Sequence, residues 1–124
     1  MHGSVRVLIL CWALPAALSA EMRFSDQALA AGVADDGEAN GAAFGDFSGD
    51  GLPDLFVARL GRSARPLLYR NEGDGTFVTA DLDGVQSGST MGGVFVDYDS
   101  DGDLDLYTIN FFRPNQLFEN VLIN

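Results

Sequence analysis

The sequence predicts an all-β fold, and three observations lead to that prediction. Short apolar runs rich in β-branched and aromatic residues recur along the chain and are separated by turns rich in Asp and Gly. A loop with acids at its first, fifth and ninth positions, residues 46–54, returns 51 positions later as residues 97–105, where every second residue is an acid. The runs that flank the two acidic stretches follow in the same order each time. Such a repeat indicates supersecondary units that bury their faces against each other.

Each unit reads as a strand, an acidic loop and then further strands. About four short strands per ~50 residues is what one blade of a β-propeller supplies, whereas a β-sandwich shows no such self-similarity. We therefore predict β-propeller-type blades of four antiparallel strands. About two blades are present, so the predicted propeller is incomplete.

A secretory signal peptide is predicted at residues 1–20. Arg6 precedes an apolar run, and the small residues Ser19 and Ala20 follow it. The alternative is a membrane anchor, but Pro15 interrupts the run, which is also shorter than the ~20 apolar residues that a spanning helix needs. We predict cleavage after Ser19 or Ala20 and no stable membrane span afterwards. The expected location is secreted or extracellular, or periplasmic if the source is a Gram-negative bacterium.

The repeat region is predicted to occupy residues 21–124. Its first part, residues 21–40, is rich in Ala, Asp and Gly and reads as a lead-in to the first strand. The first unit then has four predicted strands, the last two joined by a glycine-rich hairpin turn: residues 42–45, 55–58, 67–70 and 76–79. The second unit repeats the first three strands: residues 92–96, 104–109 and 116–120.

Composition excludes several classes of function. Without residues 1–20 the chain has no Cys, His or Lys, which rules out disulfide bonds, Cys/His metal sites and a Ser-His-Asp mechanism. The formal net charge of −11 makes nucleic acid a poor partner, because phosphate binding requires clustered positive charge. Eight of the 18 acidic residues lie in the two acidic loops, so the negative charge is concentrated there.

The two acidic loops are predicted to bind Ca²⁺. Carboxylate oxygens are ligands that this hard cation takes, and Gly51 or Gly102 at the sixth position permits a sharp turn around one centre. Carboxylates about 5 Å apart repel by roughly 3 kcal/mol at an effective dielectric constant of about 20, so five acids in the second loop indicate a counter-ion. The predicted ligands are side chains at positions one, three, five and nine and the backbone carbonyl at position seven: Asp46, Ser48, Asp50, Asp54 and Leu52 in the first loop, and Asp97, Asp99, Asp101, Asp105 and Asp103 in the second.

Two other kinds of loop share part of this pattern. An EF-hand loop also begins with alternating acids, but it needs a Glu at position twelve and flanking helices. Val57 and Thr108 occupy position twelve here, and both lie in predicted strands. The second alternative is an Asp- and Gly-rich turn that binds no metal. It stays open for the first loop, where Ser48 replaces an acid.

The motifs FGDFSGDG at residues 44–51 and VDYDSDGDLD at residues 96–105 resemble FG-GAP/VCBS repeats. The hairpin LYRNEGDGTF at residues 68–77 is similar to the segment that follows the loop in bacterial and cartilage acidic protein-like members of this family. The resemblance implies blades of the integrin-α type of β-propeller, with Ca²⁺ on the loop that joins the first two strands of a blade. It also implies secretion and a role in binding or adhesion. Ser48 and the presence of two units, where such a propeller has about seven, depart from the family pattern.

The expected function is that of a secreted, non-enzymatic Ca²⁺-binding module that contacts an extracellular protein or glycan. The alternative is a fragment or accessory domain of a Ca²⁺-dependent extracellular hydrolase, because repeats like these also accompany enzymes. Two units cannot close a ring, so we also expect self-association through open blade edges.

Overall fold

The computed structural model describes residues 21–121 and contains seven β-strands in that range. In chain order they are β1 (Ala39–Gly45), β2 (Asp54–Arg59), β3 (Leu67–Asn71), β4 (Phe77–Ala80), β5 (Thr90–Val96), β6 (Asp105–Asn110) and β7 (Gln116–Phe118). Residues 21–121 include no α-helix, which confirms the all-β prediction. Within the same range, no helix has the length and apolar character needed to cross a membrane. The predicted signal peptide lies outside the described residues.

The strands form two antiparallel sheets. The first sheet has the order β1-β2-β3-β4, and the second has the order β5-β6-β7. In each sheet the strands that follow one another along the chain are hydrogen-bonded neighbours. The sheets are not closed into a ring, so the prediction of incomplete propeller blades is confirmed.

The hydrophobic core lies between the two sheets. On the first sheet, Phe56 pairs with Leu68 across β2 and β3, and the Phe56 side chain is fully buried. Facing them on the second sheet is a row of cross-strand neighbours: Phe95, Leu106 and Phe118. Full burial of a side chain of this kind contributes about 1.5–3 kcal/mol, so these side chains dominate the docking of the two sheets.

Close approach of the two sheets depends on glycines in β1 and β5. A Cβ atom at Gly93 would lie 2.6 Å from the ring of Phe56, and one at Gly45 would lie 2.7 Å from the ring of Phe95. Both distances are far shorter than ordinary van der Waals contact between carbon atoms. The absence of a side chain at these positions therefore lets the phenylalanine rings fill the space between the sheets.

The outer faces of the two sheets differ. On the first sheet, Leu55 and Tyr69 are buried, whereas Phe44 in the same row is 64% exposed. The segment before β1 reaches this sheet through an ion pair between Asp35 and Arg59 (Oδ2 to Nε, 3.1 Å). The corresponding row on the second sheet is at least partly exposed: Val94, Tyr107 and Leu117. The second sheet thus presents an apolar outer face to solvent.

Candidate metal centre

Both acidic loops join the first two strands of a sheet and follow the same backbone path. The fourth residue has a left-handed conformation in each loop, at Gly49 (φ 73°) and Ser100 (φ 64°). The sixth residue does so as well, at Gly51 (φ 86°) and Gly102 (φ 99°). Glycine adopts this conformation without the steric cost of a Cβ atom. The predicted turn at position six is therefore present in both loops.

The first acid of each loop accepts hydrogen bonds from backbone N–H groups within the loop. For Asp46 the donors are Gly49 (2.8 Å), Asp50 (3.1 Å) and Gly51 (2.8 Å). For Asp97 they are Asp101 (3.1 Å) and Gly102 (3.2 Å). A carboxylate offers about four lone-pair positions, so two such bonds leave Asp97 with acceptor capacity for a cation.

The ninth acid of each loop is fully buried and begins the second strand of its sheet: Asp54 in β2 and Asp105 in β6. In each case one carboxylate oxygen accepts a loop N–H, from Ser48 (3.0 Å) or Tyr98 (3.1 Å). The other oxygen accepts the N–H of an asparagine from the third strand or just beyond it, Asn71 or Asn120, each at 2.8 Å. Because a buried carboxylate is costly without such partners, these bonds fix the loop to its own sheet.

In the second loop, three of the predicted ligands converge. Asp97, Asp99 and Asp105 each place one carboxylate oxygen within 4.8 Å of the other two. All three donors are hard oxygen ligands, which fit a cation such as Ca²⁺. The second loop therefore contains an acidic cluster that could hold a metal ion. We call these three side chains the carboxylate cluster.

Other predicted ligands lie outside the carboxylate cluster. The Asp101 side chain is exposed, and its Oδ1 accepts the N–H of Asp103 (2.9 Å). In the first loop, Oδ1 of Asp50 makes the same contact with the N–H of Leu52 (2.9 Å). The Ser48 hydroxyl lies 3.5 Å from Oδ1 of Asp46. Within the described part of the chain, the first loop shows no convergence of three carboxylates comparable to that in the second.

Lost hydration and like charge in the second loop raise the pKa of Asp99. Lost hydration raises this pKa above its usual value first, and the negative charges of Asp101, Asp105 and Asp97 raise it further. A hydrogen bond from the Asp101 N–H acts in the opposite direction. Ionisation of Asp99 in the loop is thus less favourable than that of an isolated aspartate, and a bound cation would act in the opposite direction.

Asn71 and Asn120 support the loops, although the sequence did not single them out as part of the site. The Asn71 side-chain amide donates to the Pro53 carbonyl (3.0 Å). The Asn120 side-chain amide donates to the Leu104 carbonyl (3.1 Å) and to the Phe47 carbonyl (2.8 Å). The available signal was that both asparagines occupy matching positions after the acidic loop of their unit.

Comparison with protein families agrees with the internal repeat. A family model described as FG-GAP-like repeat matches residues 46–108, which is about half of the chain. The matched range begins at the first acid of the first loop and includes both acidic loops. A search of curated proteins finds no match.

Proposed function

We propose that this chain, which belongs to the FG-GAP-like repeat family, is a secreted, non-enzymatic module that binds Ca²⁺ and contacts an extracellular protein or glycan. Family membership supports a β-propeller-like module, a kind of unit often used in binding or adhesion. The net charge of −11 and the absence of Lys favour a protein or glycan partner over nucleic acid.

The carboxylate cluster is the observation that carries the proposal of metal binding. Asp97, Asp99 and Asp105 would hold the cation, with Asp101 and the Asp103 carbonyl as the further predicted ligands. A bound Ca²⁺ supplies positive charge that offsets the repulsion among these acids. The first loop, with Ser48 at position three, is proposed to bind the same ion more weakly because affinity in such loops rises with ligand charge.

Calorimetric titration of the purified chain with CaCl₂ tests metal binding. Asp99→Asn is the most informative variant, because it removes the negative charge but keeps an oxygen that can accept the hydrogen bond from the Asp101 N–H. We expect this variant to weaken the tighter binding event at least tenfold. Asp36→Asn is the matched control, since it removes one exposed acid outside both loops and should leave the affinity unchanged. Absence of any Ca²⁺-dependent heat in the unaltered chain would refute the proposal.

Extracellular location is proposed from the signal-peptide pattern of residues 1–20. The test is expression of the full chain in a secreting host, followed by N-terminal sequencing of the product. We expect a processed chain that begins at Ala20 or Glu21 in the culture medium, or in the periplasm of a Gram-negative host. An unprocessed chain retained in the cell would contradict this part of the proposal.

A further inference from the structure

One residue, Asn120, bridges the two acidic loops. The Asn120 backbone N–H donates to Oδ1 of the buried Asp105 (2.8 Å), which is a member of the carboxylate cluster. The Asn120 side-chain amide donates to the carbonyl of Phe47 (2.8 Å), the second residue of the first loop. A continuous path of hydrogen bonds therefore runs from the carboxylate cluster to the other acidic loop.

Asn71, the matching residue of the first sheet, makes side-chain hydrogen bonds and a bond to the buried acid only within its own unit among the described residues. Its backbone N–H donates to Asp54, as the Asn120 N–H does to Asp105. The Asn71 amide donates to Pro53, which precedes Asp54 in the same loop. The two asparagines thus share the bond to the buried acid, and the bond to Phe47 distinguishes Asn120.

Aromatic packing also holds the first loop against the strand that leads into the second loop. The rings of Phe47 and Phe95 stack with centroids 6.1 Å apart and an interplanar angle of 22°. Phe95 lies in β5, two residues before the first acid of the second loop. Phe47, Phe95 and Asn120 also line a common cleft of about 570 Å³ between the sheets. The backbone of the first loop therefore rests on the elements that position the second loop.

We propose that Asn120 couples the two acidic loops, so that a cation bound at the second loop raises the affinity of the first. This inference rests on the proposed Ca²⁺ binding. A cation on the carboxylate cluster fixes Asp105 and thereby the Asn120 backbone, and the Asn120 amide then restrains Phe47 beside the ligands of the first loop. The cation at the second loop thus orders residues of the first loop and lowers the entropic cost of binding a cation there. The coupling is reciprocal, so a cation at the first loop favours binding at the second. Asn120 is a positioning residue here, because it acts through Asp105 and Phe47.

The first loop has the greater need of this support. Its third position carries the neutral Ser48, whereas the second loop carries Asp99 there. With fewer charged ligands, the favourable free energy of cation binding is smaller, so less of it is available to offset the entropic cost of ordering the loop. One hydrogen bond contributes about 1 kcal/mol, which corresponds to a roughly fivefold change in affinity. We therefore expect a roughly fivefold loss of affinity at the first loop when the second loop cannot bind.

A double-mutant cycle read by NMR tests the coupling. The amide signals of Gly51 and Gly102 report separately on the two loops during a CaCl₂ titration, because each N–H donates to the first acid of its loop. Asp99→Asn disables the second loop and should weaken binding at Gly51 about fivefold. With Asn120→Ala, which removes the amide but keeps the backbone N–H, Asp99→Asn should change binding at Gly51 less than twofold.

Asn71→Ala is the matched control for Asn120→Ala. It removes the equivalent amide from the first sheet without touching a bond between the loops, so the fivefold coupling should persist. If Asn120→Ala fails to fold, Asn120→Asp serves instead, since it has nearly the same size but replaces the donor to Phe47 with an acceptor. Persistence of coupling in the Asn120 variant, or its equal loss in the Asn71 variant, overturns the inference.

The same titration separates failure of the inference from failure of the proposed function. If both signals respond to Ca²⁺ with independent affinities, or if the Gly102 signal alone responds, coupling is wrong and metal binding stands. If neither signal responds in the unaltered chain, both are wrong. If Asp99→Asn lowers the Ca²⁺ affinity of the first loop, and this effect requires the Asn120 side chain, both the coupling and the proposed metal binding are supported.

Discussion

Ser100 occupies a backbone conformation for which the first loop uses glycine. Its φ angle is 64°, and that of Gly49 at the same loop position is 73°. A residue with a Cβ atom bears a steric cost of roughly 1–2 kcal/mol in this region. Glycine avoids this cost, but it has more conformational freedom in the unfolded chain, and the loss of that freedom on folding offsets part of the gain. The second loop therefore combines the better ligand set with the more strained backbone.

Relief of this strain is testable at Ser100. We expect Ser100→Gly to raise the free energy of unfolding by about 0.5–1 kcal/mol, measured by urea denaturation without divalent cations. Ser87→Gly is the control, because Ser87 is exposed and its φ angle is not positive. That control should be neutral or slightly destabilising. A loss of stability in Ser100→Gly would show that the serine side chain contributes more than its backbone costs.

Asp74 in the turn between β3 and β4 allows a prediction about pH. Its carboxylate accepts hydrogen bonds from the Thr76 hydroxyl (2.6 Å) and the Thr76 N–H (3.0 Å), and these bonds, the hydroxyl first, hold the pKa of Asp74 below its usual value. An acid whose pKa is lower in the folded state stabilises the fold above its unfolded pKa. That contribution is lost as the pH falls through the folded pKa.

Thr76→Val removes the hydroxyl bond and should raise the pKa of Asp74 towards its usual value. The variant should then lose less stability than the unaltered chain as the pH falls below about 4. An NMR titration of the Asp74 carboxyl carbon measures the pKa directly. Thr79→Val is the control, because Thr79 lies in β4, three residues after Thr76, and no hydrogen bond joins it to Asp74 in the described structure. An unchanged pKa in Thr76→Val would contradict the assigned cause.

At the scale of elements, the docking of the sheets depends on one glycine of β5. A Cβ atom at Gly93 would collide with Phe56, whereas one at Gly92 would meet no heavy atom within 4 Å. We expect Gly93→Ala to lower the free energy of unfolding by about 1–3 kcal/mol, as overpacking of a core does. Gly92→Ala should stay within about 0.5 kcal/mol of the unaltered chain. Chemical denaturation distinguishes the two, and equal effects would mean that the sheets can separate slightly at little cost.

The strands and loops were predictable because their signals are local. Short apolar runs between turn residues such as Asp, Gly, Asn and Pro marked all seven strands. The five predicted ligands of the second loop included the three side chains that converge. The start of β1 was less predictable, because Ala39 joins the strand by pairing with Arg59 across an irregularity in register. Such pairing depends on the partner strand and leaves no mark in a short window of sequence.

The contacts that tie the site together were not predictable, because they depend on the docked sheets. The bond from Asn120 to Phe47 joins residues 73 positions apart, and no pattern within one repeat encodes it. Asp99 and Asp101 both have the spacing of a ligand and each accepts the N–H two residues further on, yet in this structure only Asp99 belongs to the carboxylate cluster. Spacing alone does not predict which of the alternating carboxylates converge.

At the scale of the whole molecule, the second sheet leaves an apolar outer face open. Val94 is 50% exposed and Leu117 is 46% exposed, and both lie in register with Tyr107. In the described residues, β7 also has one edge without a paired strand. Open edges and exposed apolar faces favour association. We therefore predict that the chain self-associates, with a sedimentation coefficient that rises with protein concentration.

A charge on this face tests which surface mediates association. Leu117→Lys should shift the chain towards the monomer at every concentration, because burial of the new ammonium group is costly. Met22→Lys is the control, since Met22 is 88% exposed and lies before the first strand. We expect it to leave the concentration dependence unchanged. If the unaltered chain sediments as a monomer at all concentrations, the prediction of self-association is wrong.

The connection between the second and third strands has different lengths in the two sheets. It spans seven residues, 60–66, in the first sheet and five residues, 111–115, in the second. In an antiparallel meander this connection lies at the end opposite the acidic loop. The bond from the buried acid to Asn71 or Asn120 is nevertheless 2.8 Å in both sheets. A difference of two residues at the far end thus leaves the bond to the buried acid unchanged. That end is therefore a suitable place to insert a new recognition sequence without disturbing the acidic loops.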